Sequence, residues 1–359
     1  MKRVFIFGYY GFKNIGDEAI LEAIVGQFRE VMPQVTLTAL SYHAEETSHR
    51  YGIEAVSRNH FMEVIRSIRK SDLVMSGGGS ILQDVTSSRS LMYYLGIILL
   101  AKILRKKVAF YGNGFGPITR PINQYLVKYI INRVDLLTVR DDESCALMRQ
   151  MGIHRPIHIT ADAAFTLTTQ SQKKLTKQQT HPRVGISVRQ WKNQPVYLPV
   201  IAACADALIC KGYEICFIPM QTPSDTKVSA EIIEMMQGTA SIIDTGDTPG
   251  KMIEFISEME FIIGMRLHSL VFSAIAGVPM IGLSYEAKIT SFLKRVEQPC
   301  AGNVETLTEE QMMHTLDDFL HNMEEYQCKV SLQQRILKDR AVENTKMVQA
   351  FLWNGETAS

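Results

Sequence analysis

The residues of this chain best suited to chemistry stand at the ends of short apolar runs. In the second half, the run 184–188 ends at Arg189, followed by Gln190 and Trp191. The run 261–264 ends in Met265-Arg266-Leu267-His268-Ser269, and the run 280–283 in Ser284-Tyr285-Glu286-Ala287-Lys288. Arginine forks match the paired oxygens of phosphate and carboxylate, and lysine adds a compact point charge. Arg189, Arg266 and Lys288 together therefore suit a small ligand that carries both groups. His268 adds a side chain that can hold a proton near neutral pH. Beside these cations only Glu286, next to Lys288, offers a carboxylate in sequence.

The first half presents glycine loops at the matching places. Residues 8–18 carry Gly11, Asn14, Gly16 and Asp17 and open directly into a helical pattern. Gly77-Gly78-Gly79-Ser80 follows the run 73–76, and Gly112-Asn113-Gly114-Phe115-Gly116-Pro117 follows 108–111. Glycines let a backbone approach a ligand closely, and amides at a helix start favour an anion or a hydroxyl-rich group. The spacing is neither the dinucleotide fingerprint nor the Walker loop. Asp17 is either a cap for the following helix or a carboxylate that takes the proton of an attacking sugar hydroxyl. Arg140, which closes 136–139 ahead of Asp141-Asp142-Glu143, either pairs with those acids or reaches a ligand.

These positions need a scaffold that brings strand ends together. Apolar runs of four to six residues alternate with longer helical patterns, as in parallel sheets flanked by helices. Strands are expected at 4–7, 35–40, 73–76, 108–111, 136–139 and 157–160, with helices at 17–31, 91–104 and 141–151. A second series places strands at 184–188, 215–219, 242–244, 261–264 and 280–283, and helices around 200–211 and 253–259. Residues 309–353 read as helical. The polar stretch 166–182, rich in Thr, Gln and Lys, reads as a linker. The expected organisation is α/β: two doubly wound Rossmann-like lobes, 1–165 and 183–340, facing a central cleft, with 341–359 packing back on the first. In such sheets ligands bind at the carboxyl ends of the strands.

Composition narrows the function. With 38 Lys+Arg against 37 Asp+Glu among 359 residues, no net field draws nucleic acid. The six cysteines show neither CxxC pairs nor zinc spacing, so reduced thiols and no metal are expected. The apolar segment 91–104 is too short for a membrane span and contains Lys102, and the start of the chain lacks the core of a signal peptide. The chain reads as cytoplasmic, and the mixture of leucines and basic residues at 99–107 suggests peripheral membrane contact.

Gly11-Phe12-Lys13-Asn14-Ile15-Gly16-Asp17-Glu18, Gly77-Gly78-Gly79-Ser80, Val139-Arg140-Asp141 and Arg266-Leu267-His268-Ser269 occur in that order. In this the chain resembles the polysaccharide pyruvyl transferase family, in particular the CsaB-type members that act on the secondary cell-wall polymer of Gram-positive bacteria. The resemblance implies a GT-B-like fold and phosphoenolpyruvate as donor, with no further cofactor. It places Arg189, Arg266, Leu267 and His268 at the donor, with Lys288 as a further phosphate contact and Arg140 facing them. The loops bearing Gly11, Asn14, Gly16, Asp17, Gly78 and Gly79 would hold the acceptor. That acceptor would be a lipid-linked saccharide, β-linked N-acetylmannosamine on a polyprenyl diphosphate, and the product would anchor surface-layer proteins. His268 would protonate the donor's methylene carbon. Two other readings of the same residues are a nucleotide-sugar glycosyltransferase, with Glu286 on a ribose, and a non-catalytic carbohydrate-binding protein.

Overall fold

The computed structural model describes residues 1–85, 87–167, 181–192, 194–244, 246 and 248–354. They divide into two compact units. The first holds strands β1 (Arg3–Tyr10), β2 (Thr36–Ser41), β3 (Glu54–Ser57), β4 (Leu73–Ser76), β5 (Lys107–Asn113), β6 (Leu136–Val139) and β7 (Ile157–Ile159). All pair in parallel, in the order β3-β2-β1-β4-β5-β6-β7. Between them run helices α1 (Ile15–Val31), α2 (Ala44–Tyr51), α3 (Phe61–Lys70), α4 (Ser88–Ile103), α5 (Pro121–Ile131) and α6 (Asp142–Gln150).

The second unit holds β8 (Arg183–Ser187), β9 (Glu214–Phe217), β10 (Ala240–Ile242), β11 (Phe261–Gly264), β12 (Met280–Ser284) and β13 (Cys300–Asn303), also parallel, in the order β10-β9-β8-β11-β12-β13. Its helices are α7 (Gln194–Cys210), α8 (Ser224–Met235), α9 (Pro249–Ser257), α10 (Leu267–Ala276), α11 (Ala287–Arg295) and α12 (Glu309–His321). Strands covered by helices on both faces must be apolar throughout, and β4 and β11, LVMS and FIIG, are buried at every position.

In both sheets the order reverses beside the first strand of the unit, between β1 and β4 and between β8 and β11. The strand ends diverge there and leave a crevice. Tyr9 to Gly11 and Gly77 to Gly79 stand at the first reversal, Arg189 and Arg266 at the second.

Several boundaries differ from the pattern in the sequence. α1 starts at Ile15 because the Asn14 side chain accepts the Gly16 N–H at 3.1 Å; Asp17 is therefore in the first turn and is not the cap. α10 starts at Leu267, with Arg266 at its N-cap, so His268 is a helical residue. β3 and β13 have no long apolar run to announce them, being a half-exposed edge and a short CAGN segment. At the inner end of the expected linker, Thr166 is buried in a 3₁₀ turn, Ala163–Thr166; residues 168–180 of that linker lie outside the described residues.

Two short segments belong by their contacts to a unit other than that of their flanking sequence. Lys13–Gly16 joins the second unit, where Ile15 N–H donates to Met220 O at 3.3 Å and Asn14 bridges Gln221. The last helix, α13 (Met323–Asn354), is shared: from Leu337 onward it belongs to the first unit. There Asn344, fully buried, accepts from the Thr138 and Thr160 hydroxyls at 2.6 and 2.8 Å and donates to Ala161 O at 3.0 Å.

Candidate functional site

At the reversal point of the second sheet, β8 delivers Arg189 and β11 delivers Arg266. Arg266 is held by Asp225, in the first turn of α8. Its Nε donates to Asp225 Oδ2 at 2.9 Å, and its Nη2 donates to Asp225 Oδ1 and, at 3.3 Å, to Gln221 Oε1. Asp225 is fully buried and also accepts the N–H groups of Met220 and Gln221 at 3.2 and 3.0 Å. A carboxylate buried this deeply needs such partners, and it fixes the plane of the guanidinium in return. Asp225 lies far from Arg266 in sequence, and nothing in the segment SDTK marks it as more than a helix start.

Arg189 has no carboxylate partner among the described residues. Its Nη1 donates to the Tyr285 hydroxyl at 2.8 Å, and its guanidinium carbon lies 4.8 Å from the ring centre of Tyr285 and 5.2 Å from that of Trp191. The two rings are 4.5 Å apart, and the Trp191 Nε1 donates to Glu305 at 3.0 Å. Cation–π contact of this kind holds an arginine in place without cancelling its charge. Two buried polar atoms here lack a hydrogen-bond partner among the described residues, Arg189 Nε and Ser187 Oγ. Buried donors are nearly always satisfied, so such a pair at a strand-end crevice is what a polar ligand site leaves in its protein.

Lys288 contributes less. Its Nζ sits 2.6 Å from Glu286 Oε2, so this cation is already compensated. Leu267 is buried beside Arg266 at the start of α10. His268 faces Gly16: a Cβ on that glycine would fall 2.1 Å from the imidazole Nδ1, so only glycine fits against the ring. The same loop holds Lys13 at φ 56°, the left-handed region that non-glycine residues avoid and that clusters at functional sites.

In the first unit, Arg140 is buried and bonded to Asp162 at 3.0 Å, Asp141 at 3.3 Å and Ser80 Oγ at 2.9 Å. Burial works against its charge, but Asp162 and Asp141 outweigh it and raise the guanidinium pKa. Gly78 (φ 78°) approaches α1, where a Cβ would meet the Ile20 side chain at 2.8 Å, and a Cβ on Gly79 (φ 69°) would fall 3.1 Å from Asp17 Oδ1. Gly11 (φ 77°) donates its N–H to Glu18 at 2.8 Å and packs on Ser41. The close neighbours of Gly11 and Gly78 are thus parts of the chain. Asp17 stands among phenols: burial first, and then its charge, raise the pKa of Tyr9 and Tyr10. Among the described residues no His, Cys, Asp or Glu cluster is placed to hold a metal.

Comparison with known proteins agrees with this architecture. The chain superposes on the UDP complex of MnaA from S. aureus with a TM-score of 0.69 at 13% identity, covering 99% of this chain and 97% of that one. UDP-GlcNAc 2-epimerase from Neisseria meningitidis bound to UDP-GlcNAc gives 0.65 at 13%, covering 99% and 100%. HepE from Anabaena with UDP and glucose gives 0.66 at 11%, with the same coverages. At such identities the likeness concerns the fold, which is GT-B-like. In sequence the chain is 24% identical to the amylovoran biosynthesis protein AmsJ of Erwinia amylovora, over 76% of this chain and 72% of that one. The polysaccharide pyruvyl transferase profile matches residues 14–287, from the loop that meets His268 through the three strand ends bearing Arg189, Arg266 and Tyr285, and the chain belongs to that family.

Proposed function

We propose that the chain transfers pyruvate from phosphoenolpyruvate, as a ketal, onto an N-acetylhexosamine of a lipid-linked cell-wall polysaccharide precursor, with β-linked N-acetylmannosamine as the acceptor sugar. The observation that carries the donor assignment is the placing of Arg189 and Arg266 at the reversal point of the second sheet, with Arg189 Nε and Ser187 Oγ lacking a hydrogen-bond partner among the described residues. A phosphate and a carboxylate on one small molecule match two guanidinium groups, one pinned by Asp225 and one held against two aromatic rings.

The reaction then runs as follows. The His268 imidazolium gives its proton to the methylene carbon of the donor, and the electron pair of the carbon–carbon double bond forms the new C–H bond. The adjoining carbon becomes cationic and is attacked by a sugar hydroxyl, whose proton passes to Asp17. A second hydroxyl of the same sugar attacks the same carbon and passes its proton back to the now neutral His268, while phosphate leaves with its bonding pair and the ketal ring closes. Arg189 and Arg266 stabilise charge on the departing phosphate, the kind of electrostatic support that dominates many such steps.

The test is incubation of the full chain with phosphoenolpyruvate or with a UDP-sugar, each with and without an N-acetylmannosamine-bearing lipid acceptor. Release of inorganic phosphate that depends on the acceptor is expected from phosphoenolpyruvate. Release of UDP with formation of a glycoside, and none of phosphate, would instead make the chain a glycosyltransferase.

A further inference from the structure

The first unit exposes several large apolar side chains at one edge. In a parallel sheet every following helix starts at the carboxyl edge, so the first turns of α3, α4 and α5 lie side by side there. Their outward positions carry Phe61 and Met62, Met92, and Ile122 and Tyr125; Phe61, Met62, Ile122 and Tyr125 are each 66–69% exposed. The three turns are bonded to one another. Arg58 lies 4.4 Å from the Tyr93 ring centre and accepts the Tyr93 hydroxyl on its carbonyl at 3.3 Å, tying α3 to α4. Asn123 donates to Ser88 Oγ at 3.4 Å and to Asp84 at 2.8 Å, tying α4 to α5.

Basic groups outnumber acidic ones among these apolar residues. Arg66, Arg89 and Arg120 are exposed; the nearby acids are Glu63, exposed in the first turn of α3 and 3.4 Å from His60, and Asp84, which is buried and occupied. The acidic start of α6, Asp142 and Glu143, bounds the patch. Apolar and aromatic side chains ringed by arginines, on a chain with almost no net charge, are what an anionic bilayer surface attracts. Among the described residues no helix is long and apolar enough to cross a membrane, so contact would be from the side.

We infer that the first turns of α3, α4 and α5 dock the protein on an anionic lipid bilayer. The stretch 99–107, which the sequence suggests for such contact, serves other ends. Leu99, Leu100 and Leu104 pack on the core, Lys102 pairs with Asp135 at 2.7 Å, and Lys107 lies over the Phe351 ring. The docking surface requires neither donor nor acceptor, so it stands or falls apart from the transferase chemistry.

Flotation of the full chain with vesicles of phosphatidylglycerol and phosphatidylcholine, and with phosphatidylcholine alone, tests it. Binding is expected to the anionic vesicles and to weaken as salt rises. The pairs Phe61→Ser with Met62→Ser, and Ile122→Ser with Tyr125→Ser, should each lower partitioning about tenfold or more, the worth of removing two large apolar side chains from an interface. Arg89→Glu with Arg120→Glu should remove the preference for anionic lipid, while Ile103→Ser with Lys106→Glu should leave binding unchanged. The altered side chains are exposed, apart from the half-buried Lys106, so thermal melting of the docking-face variants should match that of the parent. Equal flotation with both vesicle types, no flotation, or unchanged partitioning of the serine pairs would overturn the inference. It would equally be overturned if sedimentation velocity showed a dimer that the serine pairs dissociate while vesicle binding stays as it was, since the patch would then join two copies of this chain.

Discussion

Asp225 decides what Arg266 can do. A guanidinium at a strand end can swing, and a swinging cation binds a phosphate at an entropic cost; one clamped through Nε and Nη2 meets its ligand in a fixed plane. Asp225→Asn keeps the shape but withdraws the charge and turns an acceptor into a donor facing Arg266. The apparent Michaelis constant for the proposed donor, phosphoenolpyruvate, should rise about ten- to a hundredfold while turnover changes less, and stability should drop by about 3 kcal/mol as the buried pair is broken. Steady-state kinetics and a denaturant melt read the two; an unchanged Michaelis constant would reduce Asp225 to a fold residue. His268→Gln should show the opposite split, with turnover down roughly 10²–10⁴-fold and donor affinity nearly kept. Normal turnover in that variant would mean that the proton comes from elsewhere. Arg266 and His268 stand out in the sequence because cations and a histidine at the end of an apolar run are rare. Asp225 does not, because its meaning comes from a partner that only the order of strands brings near, and the left-handed Lys13 leaves no signature in residue type at all.

Among the elements, the turn between β4 and α4 depends on one carboxylate. Burial disfavours the Asp84 charge, but the N–H of Thr119, the Asn123 amide and the N–H of Arg120 together hold its carboxyl below the usual value. A carboxyl with a depressed folded pKa stabilises the protein above its ordinary value of 3.8, and that contribution fades as pH falls through the lower, folded value. Asp84→Asn should therefore lose about 1–3 kcal/mol at neutral pH and show a shallower loss of stability on acidification than the parent. Urea melts across the acid range measure both, and parallel curves would show that the carboxylate's charge is irrelevant to the turn. The strongly apolar strands are legible in the residues themselves: β4, β6 and β11 have the bounds expected of them. Those that escape are short edges such as β3 and polar amphipathic helices such as α2 and α8, whose periodicity is diluted by acids and threonines.

Over the whole molecule, alternation of strand and helix announces two parallel sheets, but their strand orders follow from handedness and packing and are not written in any segment. The sequence likewise does not say where α13 changes allegiance. Asn344→Ala would take the amide donor from the Ala161 carbonyl and one acceptor from the hydroxyls of Thr138 and Thr160, which keep Phe110 O and Val139 O within reach, and with the cavity left behind this should cost about 1–3 kcal/mol. Thermal melting should fall while the Michaelis constant for the donor holds; if melting is unaffected, the end of α13 is an accessory.

That arrangement also bears on how the protein is made. The seven strands of the first unit leave the ribosome before the second unit does, yet the polar partner of Thr138 and Thr160 follows 206 and 184 residues later in the chain. At the usual pace of translation the residues between Leu167 and Leu337 take about 10–30 s to appear, longer than most domains need to fold. The unit begun first is thus finished last, and in the interval it carries an open slot along β5 and β6 that chaperones, or a stray helix from another nascent chain, could occupy.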